Sequence, residues 1–281
     1  LILRIVGYPG SLRIDHPTSL IINSGRKTWD LKDITKNSKS NVEALNLSAS
    51  TAATVDLSTT SGVTSVTNTG SSVILTLAGM DAGTSMNVTN NTAGATFGYK
   101  AAEMLGTTDA VTLTVSNVTG AGLNTQTIGA GVETVNVVSA GGVTNNFDPA
   151  FTGTTLNISG GTALTLNGAV NTTFTTIDAS AATGTMTIVS NASAANSYTG
   201  SSGVDNLTLT GATANIVSTV SAGAGNDVIT FTAELDRRGV RSSRRNARYQ
   251  SFKYTTTFLQ TTFFLWKNNS HASIPTLPPP P

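Results

Sequence analysis

The sequence predicts an all-β protein, a parallel β-solenoid of the β-helix or β-roll kind with coils of about 21–22 residues. Three observations predict it. Short runs of alternating apolar and polar residues fill positions 41–235, each bounded by Gly, Asn or Ser, which is the signature of half-buried strands. Apolar positions recur at a fixed interval, as they do when successive coils stack. Only 6% of the chain is aromatic and 11% charged. Thin layers of Val, Leu and Ile are what such a chain has to bury, and stacked repeats bury them coil upon coil. A tandem β-sandwich is the alternative, because strands every ~8–12 residues suit it equally.

The interval is explicit in two interleaved ladders. Val135, Leu156, Ile177, Tyr198 and Val220 follow one another at about 21–22 residues. Val143, Leu164, Met186, Leu207 and Ile229 keep the same spacing. Two ladders of one pitch imply two or more strands per coil. A weaker trace precedes them, in which Leu45 is followed by Val66 and Val55 by Leu75 at nearly the same interval. The runs themselves, such as Val111-Thr112-Leu113-Thr114-Val115 and Leu207-Thr208-Leu209, put threonine on one face and Val or Leu on the other, which suits a pleated surface buried on one side.

Charge divides the chain. Residues 41–235 carry eleven acidic side chains and one basic one, Lys100, and contain no Arg, His or Trp. Residues 1–40 hold seven basic side chains and residues 236–281 hold eight. The head, 1–40, and the basic, proline-rich tail, 236–281, are therefore expected to be disordered or artefactual. Between them lie an N-terminal β-repeat region, 41–99, and a C-terminal β-solenoid, 110–235. The run Lys100-Ala101-Ala102-Glu103-Met104-Leu105-Gly106 is rich in helix formers, so a short helical linker is expected over 100–109. The arginines from Arg237 to Arg248 are read as a solvated basic tail rather than a nucleic-acid patch. No run approaches the ~18 apolar residues of a membrane span. The absence of cysteine excludes disulfides and thiolate metal sites.

Two glycine-aspartate turns, one coil apart, carry the candidate chemistry. One reads Gly200-Ser201-Ser202-Gly203-Val204-Asp205-Asn206-Leu207, the other Ala222-Gly223-Ala224-Gly225-Asn226-Asp227-Val228-Ile229. Both approximate the calcium-binding nonapeptide G-G-x-G-x-D-x-U-x, with Ser201 and Ala222 standing where glycines are usual. Calcium takes hard oxygen ligands, carboxylates and carbonyls, and glycine lets a turn aim its carbonyls at an ion. Gly200, Gly203, Asp205, Gly223, Gly225 and Asp227 are thus the expected calcium site, with Leu207 and Ile229 plugging the core behind it. The competing reading is a pair of plain turns in which each Asp satisfies local amides. The remaining carboxylates are less specific. Glu43 and Glu133 open similar strands in distant coils and read as one repeated position, not as a carboxylate pair.

Together with Val132-Glu133-Thr134-Val135-Asn136-Val137 and Phe174-Thr175-Thr176-Ile177-Asp178-Ala179-Ser180, the two turns resemble bacterial S-layer proteins with RTX-type repeats. The likeness covers roughly 41–233. It implies a calcium-dependent structural protein, exported through a type I system and folding at the cell surface or outside the cell. Its expected activity is self-association into a surface lattice, with cell-surface polysaccharide as a further candidate partner. An adhesin stalk or passenger that binds glycans or a host surface is the alternative. An enzyme is not expected: both histidines, His16 and His271, lie in the flanks, and a polysaccharide-cleaving β-helix has only Lys100 as a basic residue in the repeat.

Overall fold

The computed structural model describes residues 43–49, 52–120, 124–191, 197–210 and 219–232, with further strand backbone in both flanks. It is a parallel β-solenoid of about eight turns with ~21 residues per coil. Each coil contributes one strand to each of two sheets. The first sheet runs through Ala44–Ala49, Ser65–Thr69, Ser85–Thr89, Ala110–Ser116, Thr134–Ala140, Thr155–Gly160, Thr176–Ala182, Ser197–Thr199 and Thr219–Ser221. The second runs through Ala53–Asp56, Leu75–Met80, Ala95–Tyr99, Thr125–Ile128, Asn145–Ala150, Leu164–Val170, Met186–Asn191, Asp205–Thr210 and Asn226–Thr232. All pairs within these two sets are parallel, so every strand adds its ladder to the coil before it and the coil after it.

The first ladder is in register throughout. Val135 faces Leu156, Leu156 faces Ile177, Ile177 faces Tyr198 and Tyr198 faces Val220. All five are buried. Leu45 faces Val66 in the same way, and the two sheets continue unbroken from 44 to 232. The N-terminal repeat region is therefore part of the same stack and not a sandwich.

The second ladder needs correction. Leu164 faces Met186 and Leu207 faces Ile229, but Met186 faces Asp205 and Leu207 faces Ile188. Val143 is an exposed corner residue, and Asn145 takes the place opposite Leu164. Likewise Val55 faces Leu77, two residues past the expected Leu75. The cause is the strand period: side chains alternate at every residue, so a slip of two keeps the same face inside and leaves the hydrophobic pattern unchanged.

Residues 100–109 hold one 3-10 turn, Ala101–Glu103. It forms part of a wide corner and does not join two stacks, because Ser85–Thr89 pairs directly with Ala110–Ser116 across it. Lys100 binds this corner to its neighbours. Its Nζ donates to the Thr60 carbonyl at 2.7 Å, contacts the Asp81 carboxylate and lies 3.9 Å from Glu103 Oε1. Strands are also placed in the flanks. Ser19–Ser24 pairs parallel with Ala44–Ala49, and Phe252–Thr257 pairs antiparallel with Asn226–Thr232. Ile2–Val6, Leu12–Ile14, Thr28–Asp30, Ile34–Lys36 and Thr262–Phe264 are strands as well, and the other flank residues, with the expectation of disorder or artefact, lie outside the described residues.

The corner leading from the first sheet to the second is built from polar residues. Gly70, Asn90, Asn117 and Gly141 follow residues that stack in register, and all four have positive φ. Asn is the side-chain-bearing residue that most readily enters this left-handed region. The next residues turn inward, where buried side chains cap the free amides of the bend. Asn91 Oδ1 accepts from the Ser71 amide and Asn145 Oδ1 from the Val118 amide, each at 2.9 Å. Asn145 Nδ2 donates to the Ala140 carbonyl at 2.8 Å and to Ser139 Oγ at 2.9 Å. The opposite corner repeats a simpler device. The Glu43 carbonyl accepts from the Thr64 amide and hydroxyl, and the Glu133 carbonyl from the Thr154 amide and hydroxyl. Glu43 and Glu133 are thus one structural position, as the internal repeat predicted.

Replacing Asn145 by Ala orphans a buried amide and removes several bonds at once, so it is expected to destabilise the chain by about 3 kcal/mol. Asn157→Ala on the outer face is expected to cost about 0.5 kcal/mol or less. Equilibrium denaturation of the two variants checks this ordering.

Candidate metal centre

The two glycine-aspartate turns occupy the same polar corner, at the last two coils of the described stack. Thr199 pairs with Ser221, and the Gly200 amide donates to the Ser221 carbonyl at 2.7 Å. The Ala224 amide donates to the Ser201 carbonyl at 3.2 Å. On the far side of the bend Asn206 pairs with Val228 and Leu207 with Ile229, which sets Asp205 over Asp227. The Asp205 amide donates to Asp227 Oδ1 at 3.0 Å. The two aspartates predicted to be equivalent are therefore adjacent, in register and each only 2% exposed.

The glycines make this approach possible. A Cβ on Gly200 would fall on the Ala222 carbonyl and beside Asp205 Oδ2. Gly225 has φ +128, and a Cβ there would meet the Gly203 carbonyl. Gly203 donates its amide to Ser201 Oγ at 3.0 Å, and Gly223 lies over the Ser201 carbonyl. All six predicted residues thus belong to one stacked pair of turns.

Two further residues join them. Ser201, expected only as a substitute for glycine, is buried and donates its amide and hydroxyl to Asp205, at 2.6 Å and 2.8 Å. Tyr198, expected only as a rung of the apolar ladder, is buried with a hydroxyl that has no hydrogen-bond partner among the described residues. Its hydroxyl is held protonated by burial first, and then by the charges of Asp205 and Asp227. The sequence signal for Ser201 was a hydroxyl four residues before the aspartate. Tyr198 left none, because its ring satisfies the ladder as well as Val or Ile does.

Two carboxylates meet here in a segment whose one basic residue, Lys100, is engaged elsewhere. Burial pushes the Asp205 carboxyl up from 3.8 to about 6, against the opposing bonds from Ser201 and with a contribution from Asp227. Burial likewise raises Asp227, against the bond from the Asp205 amide. A buried carboxylate pair without a cation is costly. Calcium fits this set in charge and in donor chemistry. Each carboxylate oxygen carries two lone pairs, and the bonds to Ser201 and Asp205 leave lone pairs on both side chains. Two carboxylates do not fill the ~6–8 oxygen positions calcium takes; turn carbonyls and solvent would complete them. Among the described residues no group of three or more His, Cys, Asp or Glu is gathered, so the corner holds a pair of carboxylates and not a dense acidic cage.

The profile of a family described as "Protein of unknown function (DUF3122)" matches residues 1–61. That stretch crosses from the basic head into the first strands of the repeat. Among curated proteins nothing matches the chain, and among solved structures nothing matches it either. No helix among the described residues is long and apolar enough to cross a membrane.

The pH dependence follows from the raised carboxyls. A folded-state value near 6 against 3.8 unfolded means that the native state binds the extra proton between those values. In chelator, the contribution of Asp205 is largest below about pH 4 and is lost as pH rises through about 6. With solvent screening allowed for, the loss is on the order of 2 kcal/mol. Chemical denaturation between pH 4 and 8 in chelator is expected to show this loss, and Asp205→Asn to flatten it.

Proposed function

We propose that this chain is a structural repeat domain of an S-layer-like bacterial cell-surface protein, stabilised by calcium and active through self-association. The observation that carries the reading is the buried, stacked pair Asp205 and Asp227, which has no basic partner among the described residues and which a divalent cation would neutralise. Secretion in an unfolded state fits this arrangement. The carboxylates repel one another until calcium, abundant outside the cell, joins the last coils. In this reading Asp205 and Asp227 are ligands, Gly200, Gly203, Gly223 and Gly225 bring the turn carbonyls close, and Ser201 orients Asp205. The outer faces support a scaffold role. Thr134, Thr155, Thr176, Ser197 and Thr219 stand in one register column, and Thr112, Asn136, Asn157, Asp178, Thr199 and Ser221 follow the neighbouring one. Such regular, weakly charged faces suit side-by-side contact between copies or contact with a surface polysaccharide.

The test is calcium titration of the full chain, followed by circular dichroism and thermal melting, beside a chelator control. Calcium is expected to raise the melting temperature, since a ligand that binds only the folded state stabilises it. The double variant Asp205→Asn, Asp227→Asn is expected to melt at one temperature with or without calcium. Equal melting of the native sequence in calcium and in chelator would sink the metal reading. Electron microscopy of the calcium-loaded chain tests the lattice: ordered sheets support it, and dispersed monomers at high concentration count against it.

A further inference from the structure

Strand Leu164–Val170 leaves its ladder midway. Toward the preceding coil its pairing ends at Phe147 with Leu166. Toward the following coil Thr165 pairs with Thr187 and Ala169 with Val189, so that Leu166, Asn167 and Gly168 stand opposite the single residue Ile188. Such a bulge releases the strand locally from its partners. Leu166 points inward and is buried, whereas Asn167 is exposed. Asn167 and Gly168 have no register partner in either neighbouring strand. They are also the only Asn-Gly dipeptide in the sequence.

We propose that Asn167–Gly168 is a self-modification site at which the chain deamidates through a cyclic imide, with Asp148 as the neighbouring base. The chemistry needs an amide nitrogen that can reach the preceding side chain. Glycine has no Cβ to obstruct that approach and rotates more freely than any other residue. The bulge frees the pair from the ladder that holds most strand residues rigid. Asp148 Oδ1 lies 3.7 Å from the place where a Cβ on Gly168 would stand, which puts a carboxylate next to the glycine whose amide attacks. The Gly168 nitrogen bonds to Cγ of Asn167 as its proton passes to Asp148. The side-chain nitrogen takes up that proton and leaves as ammonia, closing a five-membered imide. Water then opens the ring at either carbonyl, yielding aspartate or isoaspartate. The overall change exchanges water for ammonia and needs no other reactant. Each conversion adds a negative charge next to Asp148. The isoaspartyl product lengthens the backbone by one methylene where the bulge already interrupts pairing, so the coils on either side keep their register.

The test is peptide mapping of the folded full chain during warm incubation at neutral pH, with isoaspartate detected by enzymatic methylation. Progressive conversion at Asn167 is expected, with Asn136 and Asn157, which are paired in the ladder, left intact. Gly168→Ala is expected to slow conversion several-fold. That variant should fold, because the nearest atoms to the new Cβ are Pro149 Cδ at 3.6 Å and Asp148 Oδ1 at 3.7 Å, ordinary contact distances. Asp148→Asn is expected to lower the rate and to change its pH profile, and an unchanged rate and profile would remove Asp148 from the reaction. Asn167 remaining intact in the folded chain, while a free peptide of residues 164–170 converts, would overturn the proposal.

Discussion

The structure depends on one constraint: each coil must place a similar residue directly over its counterpart in the coil before. Parallel pairing imposes this, since a strand bonded to neighbours on both sides cannot shift without breaking two ladders. Apolar rungs such as Val135, Leu156 and Ile177 then stack into a continuous core although no single coil holds enough surface to fold alone. The same rule governs polar groups. An amide freed at a bend needs a partner in every coil, and Asn91 and Asn145 supply it at two levels of one corner. Charge obeys it least comfortably, because like placed over like sets Asp205 on Asp227. The feature that makes the fold regular is therefore the one that concentrates negative charge at the candidate site.

Much of this was legible in the residues. The spacing of Val135, Leu156, Ile177, Tyr198 and Val220 located the first sheet correctly, because coils of nearly equal length leave one consistent register. The second sheet was harder. Its coil lengths vary, and Met186 meets Asp205, two residues short of the Leu207 that the ladder expected. Alternation cannot detect that slip, since both choices face inward. The polar corner was not foreseen at all. Asn, Ser and Gln read as loop residues, and only stacking turns Asn68, Asn91, Asn124 and Asn145 into interior ones.

The candidate site divides in a similar way. The equivalence of the two turns followed from spacing and holds in the structure. The bonding around Asp205 has the character of the plainer alternative, in which an aspartate satisfies the amides of its own turn. The two descriptions are compatible. Ser201 fixes the direction of the Asp205 carboxylate, and a cation joining the same carboxylate would balance a charge that hydrogen bonds alone leave buried.

The short strands at this end have a mechanical consequence. The first-sheet strands Ser197–Thr199 and Thr219–Ser221 are three residues long, whereas Ala110–Ser116 and Thr134–Ala140 are seven. Ladder bonds in a solenoid run along its axis, so a pull along that axis is shared by every bond across one interface. Where the first-sheet strands are only three residues long, that sheet carries little of the load, and the second-sheet strands Asp205–Thr210 and Asn226–Thr232 carry most of it. That interface is also the one bridged by the Asp205 amide to Asp227. A cation seated between those turns would act as a rivet on the side where the ladder is short, sharing tension that the second sheet otherwise bears alone.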